Sequence, residues 1–159
     1  MSISKIISRT LLAGVLVASA STAEAVIAII HDLRGSVGIV AGAQAARINL
    51  VRLDTPAAPD ASALPSPCPV TLAFLDRHGK VIGDPNQRTF TVVGQTLSAN
   101  FLGGPDTRLG TRVQVRGQVG IGDPGLFPGC RGRFAATVEV IDLATRRTEL
   151  VLPSPAFEQ

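Results

Sequence analysis

The chain has 159 residues, 45% of them apolar, and a formal charge of +3. That apolar content lies above the range of disordered chains, and the length suits one domain with an ordinary core. Arginines run from Arg34 to Arg147 without bunching, so no basic footprint for nucleic acid is expected.

The N-terminus is the first element. Lys5 and Arg9 make a short basic region, Leu11 to Ala20 is apolar or small throughout, and Ala23-Glu24-Ala25 offers small residues where a signal peptidase reads. Together these predict a secretory signal over residues 1–25, with Ala18-Ser19-Ala20 as an earlier fit. A spanning helix needs about 20 apolar residues in a row. This run stops at Ser21-Thr22 and meets Glu24, so no stable membrane span is expected once the signal is cut. Residues 26–159 are then one domain, periplasmic or secreted. Its charge is +2, because Lys5, Arg9 and Glu24 leave with the signal.

Val26-Ala28-Ile30 and their neighbours Ile27 and Ile29 form an apolar stretch directly after the cut. It reads as a first strand or a flank of the signal. A sharper reading is a strand of residues 26–30 donated to another subunit of a surface assembly.

Beyond it the periodicity is two throughout. Val113, Val115 and Val119 alternate with Arg112, Gln114, Arg116 and Gln118, with Gly117 interrupting the apolar row. Phe134, Ala136, Val138 and Val140 repeat the pattern, as do Val70, Leu72 and Phe74, and Leu97, Ala99 and Phe101. Strands are expected at 36–41, 45–53, 69–76, 80–83, 87–93, 96–102, 111–119, 132–142 and 147–152. Eight or nine short strands with wet and dry faces predict an all-β, antiparallel β-sandwich, with a small barrel as the alternative. Residues 54–67 and 120–129 are rich in Pro, Ala or Gly and read as long loops. An echo runs through the chain: a Gly–Gln turn, a strand, a long loop, a cysteine, a strand ending in Asp76 or Asp142, and a return strand. It suggests two similar halves.

Cys68 and Cys130 are the only cysteines. In an exported chain they are expected to pair, closing a loop worth roughly 4 kcal/mol in the chain-entropy model. Such a bond gathers the two long loops at one pole, where a rigid β scaffold commonly carries its binding residues. With no Cys-x-x-Cys and only His31 and His78 as imidazoles, no metal site is expected.

Gly120-Ile121-Gly122-Asp123-Pro124-Gly125 matches the dinucleotide-binding pattern letter for letter, but Pro124, Pro128 and Gly129 bar the helix that the pyrophosphate needs. No cofactor is expected. Asp76-Arg77-His78-Gly79-Lys80 reads as a hairpin turn rather than an acid–base pair. The absence of Trp and Tyr removes the usual stacking platform for sugars and single-stranded nucleic acid. Leu126-Phe127-Pro128 is the one apolar cluster at an expected loop tip, and these three are the candidate partner-binding residues.

Ala43-Gln44-Ala45-Ala46-Arg47-Ile48-Asn49-Leu50-Val51, followed by Cys68-Pro69-Val70-Thr71-Leu72-Ala73-Phe74-Leu75-Asp76 and Gly79-Lys80-Val81, resembles a group of small exported bacterial proteins of unassigned function. The resemblance implies an immunoglobulin-like sandwich and transfers no catalytic residue. The expectation is a non-enzymatic exported binding or structural module, its partner an envelope or extracellular protein. A hydrolase with an unrecognised carboxylate site is the remaining alternative.

Overall fold

The computed structural model describes residues 27–54, 67–92, 94–104 and 107–159. The expected signal segment 1–25 and most of the expected loop 54–67 lie outside the described residues. Ten strands are present among those described: β1 (Ile27–Asp32), β2 (Val37–Val40), β3 (Gln44–Asp54), β4 (Cys68–Leu75), β5 (Val81–Phe90), β6 (Thr96–Phe101), β7 (Arg112–Gly122), β8 (Arg133–Asp142), β9 (Thr148–Pro153) and β10 (Phe157–Glu158). A single 3-10 turn, Pro128–Cys130, precedes β8.

The strands form two antiparallel sheets that share one core. In the first, β7 pairs with β4, β4 with β5, and β1 and β2 share the other side of β7. In the second, β3 lies between β6 and β8, and β9 and β10 share the far side of β8. The alternation read from the sequence decides which rows turn inward. Val70, Leu72 and Phe74 of β4, and Val115, Val119 and Ile121 of β7, face Ile48 and Leu50 of β3 and Phe134, Val138 and Val140 of β8. Burying such side chains contributes about 1.5–3 kcal/mol each, which holds the layers together.

Gly117 explains its own interruption of the β7 row. A methyl group there would stand 2.8 Å from Leu33 Cδ1, 2.9 Å from Val138 Cγ2 and 3.1 Å from Ile48 Cγ1. Side chains from the opposite sheet and from the β1–β2 bend fill the space that its own side chain would take.

Three sequence expectations change. The strand count rises from eight or nine to ten, because β1 and the two-residue β10 pair at sheet edges. The expected strands 80–83 and 87–93 are one strand, β5. Its pairing with β4 runs through Ile82, skips Gly83-Asp84-Pro85 opposite Ala73, and resumes at Asn86. Gly83 takes φ +69, and Pro85 needs no amide partner on an edge. The third change concerns the two halves, whose connections do not repeat. The hairpin β4–β5 lies within the first sheet and β8–β9 within the second, while β7 has no counterpart among the described residues of 36–83. What recurs is local turn chemistry, which appears wherever a chain reverses.

Strand β1 also bears on the donated-strand reading. Ile27 pairs with Gly122 and His31 with Val119 of the same chain, so this segment completes its own sheet.

Candidate functional site

The two cysteines meet at one end of the molecule. Cys68 opens β4 in the first sheet and Cys130 closes the turn entering β8 in the second. Their Cα atoms are 4.7 Å apart and the sulfurs are bonded, with both residues fully buried. The bond therefore staples one sheet to the other.

The chain between Gly122 and Cys130 is built over this staple. Asp123 organises it: its carbonyl accepts from Leu126 N at 3.0 Å and Phe127 N at 2.7 Å, and its Oδ1 accepts from Gly125 N at 2.7 Å. Cys130 N then donates to Phe127 O at 2.8 Å. Phe127 packs against the core, directly above Gly122, where a methyl group would lie 3.0 Å from its ring and 3.2 Å from Cys130 Sγ. Leu126 points the other way and is 61% exposed, and Pro128 is exposed beside it. Of the three candidate partner-binding residues, the middle one is an anchor and the outer two face solvent. Gly120 and Gly122 of the dinucleotide-like pattern belong to β7, and Gly125 belongs to the Asp123 turn. No α-helix follows them, only the three-residue 3-10 turn Pro128–Cys130.

A chain of rings leads from the disulfide through the core to the half-buried Phe157 and His31. Cys68 pairs with Phe90; Phe90 and Phe134 have centroids 5.9 Å apart; Phe134 and Phe157 follow at 6.0 Å; His31 stacks on Phe157 at 4.0 Å. Gln159 Nε2 lies 2.6 Å from His31 Nε2. An amide N–H can donate only to an unprotonated ring nitrogen, so this contact belongs to neutral His31. Burial pushes the imidazole pKa down in the same direction. The C-terminal strand is thereby fastened to β1 across both sheets.

Arg52 breaks the inward apolar row of β3. It stands opposite Phe134 and continues the inward row of Ala46, Ile48 and Leu50. It is 2% exposed, the single buried charged residue among those described, and its Nε has no hydrogen-bond partner. Desolvation pushes its pKa down. Counting every second residue along β3 would have found it, since a cation falls where an apolar residue is due.

The expected hairpin turn at Asp76 is present. Asp76 Oδ1 accepts from His78 N at 2.8 Å and Lys80 N at 2.9 Å, and Gly79 takes φ +82. The second hairpin uses Asp142 likewise, with Thr145 N at 2.6 Å and Thr145 Oγ1 at 2.8 Å donating to Oδ1. Hydrogen bonds from these turns hold both carboxyls below the ordinary range. That is the opposite direction to the one a general acid needs. Among the described residues, no group of three or more His, Cys, Asp or Glu is placed to hold a metal ion. No helix among them is long and apolar enough to cross a membrane.

Comparison of the chain with known protein families, with curated proteins and with solved structures finds no match.

Proposed function

We propose that this protein is a non-enzymatic binding module, exported to the periplasm or beyond, that meets an envelope or extracellular protein through the pole carrying its disulfide. One observation carries the reading: Leu126 is 61% exposed on a turn fixed by Asp123 below and by the half-buried Phe127 beside it. An apolar side chain on a rigid base binds without first ordering its own loop, which lowers the entropic cost of association.

Two further features support export and fold type. A disulfide persists in oxidising compartments, in keeping with the secretory signal read over residues 1–25. The strand pairs β3–β6 and β4–β7 lie in opposite sheets and are linked β3 to β4 and β6 to β7. Such interlocked pairs are typical of Greek-key sandwiches and favour the immunoglobulin-like character implied by the resemblance.

The test is a photo-crosslinking residue at position 126 in the protein exported by cells that make it. One dominant crosslinked protein is expected, and Leu126→Ser should abolish its co-purification without lowering the melting temperature. No crosslinked species at high labelling yield, or undiminished co-purification of Leu126→Ser, would overturn the proposal.

A further inference from the structure

The connections at the end opposite the disulfide lie against one another. Where β2 turns into β3, Ala41 N donates to Thr111 O at 3.0 Å and Gly110 N donates to Ala41 O at 2.9 Å. From the β8–β9 turn, Leu143 N donates to Ala43 O at 2.9 Å. The β4–β5 hairpin and the chain leaving β6 join the same end. Phe74 and Phe101, just beneath them, have ring centroids 5.6 Å apart.

Positive charge is concentrated here. The β4–β5 hairpin, the β6–β7 connection and the β8–β9 turn carry five cations, Arg77, Lys80, Arg108, Arg146 and Arg147, all exposed. Their carboxylates number three: Asp76, Asp142 and Asp106, the last outside the described residues. The rest of residues 26–159 holds eight cations and eight carboxylates, so the whole +2 excess of that segment falls on these three connections. Asp76 and Asp142 are turned inward, each accepting from amides of its own turn. None of the five cations makes an ion pair among the described residues.

Apolar side chains project from the same connections. Leu109 is 79% exposed, the most of any large apolar residue among those described, and Leu102 and Leu143 are exposed with it. Leu109 Cδ2 lies over Gly42, where a methyl group would stand 2.6 Å away. The β2–β3 turn therefore backs one side of Leu109, and solvent meets the other.

We propose that this end docks on the surface of an anionic lipid bilayer, with Leu102, Leu109 and Leu143 entering the headgroup layer and the five cations meeting lipid phosphates. Such a surface takes both kinds of side chain at once. Its negative potential attracts the cations, and the boundary with the acyl chains buries the leucines. A bilayer also offers phosphate at every position, so cations spread over three connections find partners without a matching arrangement. A protein partner would need a carboxylate placed opposite each of them. This surface lies at the far end from Leu126 and does not rest on the role proposed for that residue. A molecule docked in this way holds its disulfide end away from the membrane.

The experiment is cosedimentation of the purified, oxidised protein with vesicles of mixed phosphatidylglycerol and phosphatidylcholine, and with vesicles of phosphatidylcholine alone. Wild type and variants are compared in the same form of the chain, so that residues 1–25 contribute equally wherever they are retained. The wild type should bind the anionic vesicles at least tenfold more tightly, and added salt should weaken that binding. Arg108→Glu with Arg147→Glu should weaken it at least tenfold at an unchanged melting temperature. Arg34→Glu with Arg88→Glu changes the net charge equally elsewhere on the molecule and should weaken it far less. Leu109→Ser should weaken it at least threefold. Should a variant melt early, amide exchange of the bound wild type decides instead: it must slow at Arg108 and Leu109 and stay unchanged at Leu126. Equal binding to both vesicles, equal losses from the two charge reversals, undiminished binding of Leu109→Ser, or retention on polyglutamate without vesicle binding would overturn the proposal.

Discussion

Gln44 and Gln95 perform the same task at two crossings between the sheets. Gln44 Oε1 accepts from the amide of Val40 at 2.8 Å where β2 leads into β3. Gln95 Oε1 accepts from the amide of Thr91 at 2.9 Å, and from its hydroxyl at 3.3 Å, where β5 leads into β6. Each reaches back four residues, past a glycine at φ +84 in one turn and +78 in the other. Gln44 also donates from Nε2 to Glu149 of β9, which ties the first crossing to the second sheet's edge. A hydrogen bond of this kind contributes about 1 kcal/mol net. Gln95→Leu should therefore lower the unfolding free energy by about 1 kcal/mol in urea, and Gln44→Leu by more, since it severs two contacts on opposite sides.

Gly117 should tolerate no side chain. The nearest atoms to a methyl group there belong to three separate core residues, so the strain cannot be relieved by moving one. Overpacking of this kind costs about 1–3 kcal/mol. Gly117→Ala should show that loss by denaturant titration, whereas Gly94→Ala, with open space around it, should show only backbone strain.

Arg52 is a stability liability. Its Nε is buried without a hydrogen-bond partner, and so loses hydration that no protein group replaces. Replacing it by an apolar residue of similar length removes that penalty. Arg52→Met should raise the melting temperature. A fall would show that the guanidinium contributes more through packing than its desolvation costs.

Stability should depend on pH in two separate windows. His31 has a folded pKa below its ordinary 6.5, so the unfolded chain takes up the proton first. Its contribution is present above pH 6.5 and is lost as pH falls toward the folded value. Protonation also removes the acceptor that Gln159 Nε2 uses. Asp76 and Asp142 have folded pKa values below 3.8; their contributions are complete above that value and vanish as pH falls through the lower one. His31→Phe keeps a ring against Phe157 and should flatten the fall in melting temperature that begins below pH 6.5, while leaving the loss below pH 3.8 intact.

Reduction should loosen the candidate pole before the rest. The Cys68–Cys130 bond spans 62 residues and supports the Phe127 turn from beneath. Replacing both cysteines by alanine should cost roughly 4 kcal/mol. Amide exchange at Leu126 and Phe127 should accelerate more than at Val119 in the centre of β7.

Much of this molecule can be read from its residues in order. Alternating rows such as Phe134, Ala136, Val138 and Val140 declare a two-faced strand, because successive side chains leave a pleated backbone on opposite sides. Asp76 and Gly79 declare a hairpin, because a carboxylate accepting from its own turn is a contact between neighbours. What neighbours cannot supply was decided only by the tertiary structure. The unpartnered Nε of Arg52, the crowding at Gly117 and the clasp of Gln159 on His31 each depend on residues brought together across sheets or across strands far apart in the chain. The bulge joining two expected strands into β5 became visible only against its partner β4, since Gly83-Asp84-Pro85 alone reads as a turn. Local chemistry settles where a chain extends and reverses; packing between distant segments settles what each side chain must then endure.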